Sequence, residues 1–275
     1  MLKWDGISNE WGGRGHGANP SGLPARDAGI DRLIAEDDLS ILFQPWIEPA
    51  SGQVIAAEAL TRSPLGSPAG LFARAANAGR GSELSRLAQA KAIAIAARWS
   101  GPLAGLDLSL NLLPGELSRP GHDEWLLAEV AAAKLDPARL TLEITENDLL
   151  VANAEVVERL QRLRSAGITI ALDDFGSGYA SFAYLTSLPL DLIKVDRSLV
   201  SGLVEGSRSR IVMKALIDLA RDLGLKLLVE GVESADQLAL LAEWGCELYQ
   251  GFFAAGALNE EELARFVASA RIEAA

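Results

Sequence analysis

From Ser40 onward the chain alternates short apolar runs with longer amphipathic stretches, and this alternation constrains its fold more than any other feature. The apolar runs are 40–47, 53–60, 106–111, 140–144, 168–172, 192–195, 226–230 and 247–251, which makes eight candidate strands. Between most of them lie helical patterns, clearest where Ile211, Val212, Ala215, Leu216, Leu219 and Leu223 recur at three and four residues. Helix ends are legible too. Ser207 and Ser234 are expected N-caps, Gln237 completes a capping box after Ser234, and Gly167, Gly224 and Gly245 stand where helices should stop. Strand–helix alternation implies parallel strands covered by helices, and eight strands predict a closed α/β barrel rather than an open sheet. Only Glu48 to Gly52 separate the first two strands, which is hairpin length and too short for a parallel crossover. The expected fold is a modified (β/α)8 barrel of the TIM type with an antiparallel first strand.

Length fits one such domain: the chain has 275 residues, and no Pro/Gly/Ser linker inside the alternating region argues for a second. Residues 1–28 hold Gly12, Gly13, Gly15, Gly17, Gly22, Pro20 and Pro24 with almost no periodic apolar pattern, and read as a flexible tail ahead of a barrel domain over 29–275. No strand precedes these glycines and no Gly-Lys-Ser/Thr follows them, so a phosphate loop is disfavoured. No run approaches about 18 apolar residues, and the N-terminus lacks the pattern of a signal peptide, so a soluble cytoplasmic protein is expected. Lone Cys246 excludes a disulfide framework and any site built from several thiolates. With His16 and His122 the only histidines, chemistry should run on carboxylates. A net charge of -12 argues against long nucleic acids as partners, while a small anion screened by metal ions remains open.

Polar residues fall at the C-terminal ends of the expected strands, the rim where barrels of this type place their chemistry. Glu58 closes the second strand, Asn111 the third and Glu143 the fourth. Asp173 and Asp174 follow the fifth, and Lys194, Glu230 and Gln250 end or nearly end the last three. One carboxylate at a strand end is commonly a cap or an ion-pair partner. Five in one mouth repel unless a cation sits among them. All-oxygen ligands suit Mg²⁺ or Mn²⁺, and two such ions about 3.5 to 4 Å apart form a clamp for phosphoryl transfer. Adjacent Asp173 and Asp174 are candidates to bridge or flank that pair. Asp174-Phe175-Gly176 invites comparison with the kinase Asp-Phe-Gly motif, but the rest of the kinase set is absent.

The ordered motifs carry a resemblance. Glu58-Ala59-Leu60 followed by Thr61-Arg62, then Asn111, Glu143-Ile144-Thr145-Glu146 and Asp173-Asp174-Phe175-Gly176-Ser177-Gly178-Tyr179 resemble the EAL-domain phosphodiesterases of bacterial signalling. Leu188-Pro189, Lys194-Val195-Asp196, Glu230-Gly231-Val232-Glu233 and Gln250-Gly251-Phe252 extend the match in order, across roughly Ile30 to Val267. The resemblance implies hydrolysis of cyclic di-GMP to linear pGpG with Mg²⁺ or Mn²⁺. It implies Glu58, Asn111, Glu143 and Asp173 as metal ligands, with Asp174 serving a second ion. Lys194 would hold a metal-bound water or a phosphate oxygen, Glu230 would act as general base or further ligand, and Gln250 would orient water. Gln44, Leu60 and Arg62 would contact substrate, and Glu146 would brace a mobile loop from Asp174 to Ser181. A homodimer formed through helices near that loop is also implied. The short segment Ser63 to Pro68, Asn77, Leu113, Ser177 and Ala257 depart from the family pattern, and none is an implied ligand. The competing expectations are a catalytically weak or inactive cyclic di-GMP receptor that signals through a partner, and a structural barrel whose acids are salt-bridged caps.

Overall fold

A computed structural model describes residues 26–113, 115–145, 154–177 and 182–273. Eight strands form a closed barrel: β1 Ser40–Ile47, β2 Val54–Arg62, β3 Asp107–Asn111, β4 Leu140–Thr145, β5 Thr169–Phe175, β6 Leu192–Val195, β7 Lys226–Val229 and β8 Leu248–Tyr249. Their order around the barrel is their order in the chain. β1 is antiparallel to β8, whereas β2 to β8 pair in parallel, so the reversed first strand expected from the short connection is present. That connection closes with the Gly52 amide donating to the Glu48 carbonyl and the Glu48 amide to Gln53.

The helices are α1 Ala28–Glu36, α2 Pro68–Asn77, α3 Gly81–Ala96, α4 His122–Ala133, α5 Ala154–Ser165, α6 Phe182–Ser187, α7 Ser207–Asp222, α8 Ala235–Glu243 and α9 Glu260–Glu273. The chain divides into two compact units, residues 1–41 with 61–89, and 42–60 with 90–275. In the first unit, Asp27 caps α1 by accepting from the Gly29 and Ile30 amides and is gripped by Arg74, with Arg74 Nη2 at 2.9 Å from Asp27 Oδ1. The expected tail lies, up to residue 25, outside the described residues. In the second unit, Ser234 and Gln237 form the expected capping box on α8. Ser207 does not cap α7. It is the first helical residue and Gly206 occupies the cap, because Gly206 already closes a tight turn onto the Gly202 carbonyl.

Alternation along the strands separates the barrel's two faces. Leu108 and Leu110, Leu140, Leu142 and Ile144, Ile193 and Val195, and Leu227 and Val229 are buried on the outward face. On the inward face Trp46, Ala56, Ala171, Leu192, Leu228 and Leu248, one from each of six strands, pack together as a plug. Ser109 and Thr141 take the corresponding positions on β3 and β4. α7 shows how a pattern can mislead. The stripe read from sequence leaves Ile211, Val212 and Ala215 exposed, while Met213, Ile217 and Ala220 form the buried face. Both stripes are apolar at helical spacing, so the period identifies the helix without choosing its inner side. No helix among the described residues is long and apolar enough to cross a membrane.

Candidate active site

Two residues beyond each inward core position, the strands present polar side chains. On β2 the step runs from Ala56 to Glu58, on β5 from Ala171 to Asp173, and on β6 from Leu192 to Lys194. β7 leads from Leu228 to Glu230, and β8 from Leu248 to Gln250. On β3 and β4 the same step leads from Ser109 to Asn111 and from Thr141 to Glu143. β1 runs the other way, so its contribution precedes its core residue: Gln44 before Trp46. The period of two therefore lifts one residue per strand from a packed core into one mouth.

Lys194 is the centre of this layer. It is 1 % exposed, and its Nζ lies 2.5 Å from Glu143 Oε2, 2.7 Å from Glu230 Oε1, 2.9 Å from Asp173 Oδ1 and 3.6 Å from Glu58 Oε2. Trp46 lies to one side, its ring centroid 5.9 Å from the ammonium. Burial pulls the lysine pKa down, but the summed attraction of Asp173, Glu143, Glu230 and Glu58 outweighs it and holds the group well above its ordinary value. Asn111 Nδ2 donates to Glu58 Oε1 at 2.7 Å. Gln250 Nε2 donates to Glu58 Oε2 and to Gln44 Oε1, each at 2.9 Å, and Gln44 Nε2 donates to the Ala255 carbonyl.

Asp173 and Asp174 need a special backbone to act together, because neighbours on a regular strand point to opposite faces. The register between β5 and β6 shifts between Leu172 and Phe175, and Asp174 adopts φ 57°, a left-handed conformation unusual for a non-glycine residue. The bulge turns both carboxylates into the mouth, where oxygens of Asp173, Asp174 and Glu230 lie within 4.8 Å of one another. Burial pushes the Glu143 carboxyl well above the usual range. Burial, opposed by Lys194 and reinforced by Asp173 and Glu58, pushes Glu230 up to about 8. Asp174 is exposed at the rim, yet protein around its carboxyl still strips away water, and with Asp173 beside it the pKa rises to about 6.

Five carboxylates here face one ammonium, so the layer is short of positive charge. Gln250 Oε1 is also buried without a hydrogen-bond partner, and the one partner of Asp173 Oδ1 among the described contacts is the Lys194 ammonium. An oxygen-rich, electron-rich, partly unsatisfied pocket of this kind fits hard divalent cations. Gln44, Glu58, Asn111, Glu143, Asp173, Asp174, Lys194, Glu230 and Gln250 thus come together in one mouth. Leu60 is half-buried two residues past Glu58 on β2. Arg62 belongs to the first unit, where its Nη1 donates to the Thr61 carbonyl. Glu146 lies outside the described residues.

Two residues of the site were not read from sequence. Ser109 Oγ donates to Glu143 Oε1 at 2.5 Å, and Trp46 flanks Lys194. Their parity with Asn111 and Gln44 was the available signal.

The family model of the EAL domain matches residues 27–257. An uncharacterized protein of Azorhizobium caulinodans is 37% identical over 226 residues, covering 78% of this chain and 30% of its own length. The cyclic di-GMP phosphodiesterase NbdA of Pseudomonas aeruginosa is 34% identical over 254 residues, covering 90% of this chain and 32% of its own length. The chain therefore spans about a third of the length of these relatives. Among solved structures, the manganese and cyclic di-GMP complex of BlrP1 from Klebsiella pneumoniae at pH 6 matches with a TM-score of 0.74 and 33% identity, over 80% of this chain and 56% of that one.

Proposed function

Because the chain belongs to the EAL domain family, we propose that its rim cluster hydrolyses cyclic di-GMP to linear pGpG in a reaction that depends on two divalent ions, Mg²⁺ or Mn²⁺. The observation that carries this reading is the convergence of four carboxylates, Glu58, Glu143, Asp173 and Glu230, on the buried ammonium of Lys194, with Asp174 beside Asp173 and Glu230 and the amides of Asn111 and Gln250 on Glu58. Glu58, Asn111, Glu143 and Asp173 would hold one ion, and Asp174 would serve the other with Glu230. The ions would supply the concentrated positive charge that an in-line displacement at phosphorus requires.

The remaining roles belong to the chain itself. Lys194 keeps a fixed positive charge at the floor of the mouth, next to where phosphate charge develops. Glu230, anchored on Lys194 through Oε1 and grouped with Asp173 and Asp174, is placed to take a proton from the attacking water. Gln250 fixes the Glu58 carboxylate and ties it to Gln44. Gln44 and Leu60 would contact the dinucleotide, and the guanidinium of Arg62 has the chemistry for phosphate or guanine edges. Reaction in the cytoplasm accords with the lone buried Cys246.

Product analysis tests the reading. The purified protein with cyclic di-GMP should yield pGpG in Mg²⁺ or Mn²⁺ and nothing in EDTA. Cyclic di-GMP retained on the protein but unchanged in both metals would overturn hydrolysis in favour of a receptor.

The same proposal includes a homodimer, supported by the apolar stripe that α7 leaves in solvent, with Ile211 69% and Val212 46% exposed. Sedimentation at micromolar concentration should show a dimer, and Ile211→Glu should shift it to monomer. A parent protein that sediments only as monomer removes this part of the reading.

A further inference from the structure

Strand β3 stands between two acidic neighbours and offers a different neutral donor to each. Its register partners are Glu58 for Ser109 on the β2 side and Glu143 for Asn111 on the β4 side. The side chains cross that register. Asn111 Nδ2 reaches back to Glu58 Oε1, and Ser109, one inward step deeper, donates to Glu143 Oε1. Ser109 is fully buried and Glu143 is 1 % exposed, so neither group can turn to water for an alternative partner. Glu143 Oε2 is held by Lys194. One oxygen of this carboxylate is thereby pinned from below by a neutral hydroxyl, and the plane of the group is set before anything enters the mouth.

We propose that Ser109 is a positioning residue for the metal-dependent reaction: its hydroxyl, together with Lys194 on the other oxygen, fixes the orientation in which the Glu143 carboxylate would hold a divalent ion. The inference rests on the metal-dependent reading given above. A carboxylate free to rotate about its last bond would present either oxygen and would sacrifice ordering on binding. Hydrogen bonds of this kind behind a ligand change metal affinity by about 10- to 100-fold when removed. A hydroxyl also suits the position better than a second acid or amide. It satisfies Glu143 Oε1 without adding charge, and it fits beside the plug that the other strands close with apolar side chains.

The experiment is a Mn²⁺ titration of thermal unfolding, without substrate, for the parent, Ser109→Ala and Ser109→Thr. Ser109→Ala should need at least about 10-fold more Mn²⁺ for half of the maximal stabilisation. Ser109→Thr, which keeps the hydroxyl, should recover the parent midpoint. In turnover, Ser109→Ala should raise the half-saturating Mn²⁺ by a similar factor while leaving the rate at saturating Mn²⁺ within a few-fold of the parent. A Ser109→Ala protein that melts lower without metal but keeps the parent Mn²⁺ midpoint overturns the proposal, since Ser109 would then only support the core. If Ser109→Thr fails to fold, Ser109→Ala alone decides by that midpoint. A parent that gains no stability from Mn²⁺ overturns the metal reading itself, and this inference with it.

Discussion

Lys194→Met should lower the metal-free melting temperature by roughly 10 °C and reduce the proposed hydrolysis of cyclic di-GMP by at least about 100-fold. Removing one partner from a buried charge cluster costs about 3–5 kcal/mol, which for a domain of this size is about 2–4 °C per kcal/mol. Here three carboxylates lie within 2.9 Å of the ammonium, so its loss leaves them facing one another. Glu143, fully shielded from water, has no other cation to turn to among its described contacts. The rate loss follows, on the proposed reaction, from removing a fixed positive charge beside the phosphate, where single donors contribute about 100- to 1000-fold. Mn²⁺ should raise the melting temperature of the variant by more than that of the parent, because the acids it neutralises are less compensated. Lys194→Arg should not restore the parent, because the planar fork is too large and too directional for a site 1 % exposed. Calorimetry and product analysis check all three statements. A Lys194→Met protein with parent melting temperature and rate would remove Lys194 from the site's design.

Gly251→Ala is the second large effect, expected to cost at least about 3 kcal/mol and most of the activity. A Cβ there would lie 2.1 Å from the Val232 carbonyl oxygen and 2.4 Å from the Val232 nitrogen, both backbone atoms that cannot swing away. The segments after β7 and β8 are stitched at this point. The Val232 amide donates to the Gln250 carbonyl, and the Phe253 amide donates to the Val232 carbonyl. Glu230 precedes the stitch on one segment by two residues and Gln250 precedes it on the other by one, so a forced separation moves both. Gly52→Ala is the control. Its φ of 72° is left-handed, but nothing lies within 4 Å of the added carbon, so only about 1–2 kcal/mol is at stake. Urea midpoints for the two variants should differ clearly. Equal midpoints would show that the stitch yields without cost.

Particular residues show what a sequence of this kind discloses. The reversed β1 was legible because a connection from Glu48 to Gly52 is a local, length-limited signal that no distant packing can override. The rim residues were legible because strand ends and polar identities coincide at Glu58, Asn111, Glu143 and Lys194. Asp174 was found for its chemistry, yet the bulge that aims it is set by pairing with β6, which no local pattern announces. Ser109 sits in the run Leu108-Ser109-Leu110 as any small core residue might, and only the three-dimensional approach of Glu143 gives its hydroxyl a task. On α7 the exposed Ile211 and Val212 read as core, because one chain cannot tell a face covered by itself from a face left for something else.

The apolar plug beneath the acids has a consequence for traffic. Trp46, Ala56, Ala171, Leu192, Leu228 and Leu248 pack the barrel interior beneath the acids, so the described residues leave no pore through its base. With that floor packed, the way from solvent to the Lys194 layer runs through the mouth, and a ligand seated at the rim would also stand in the door.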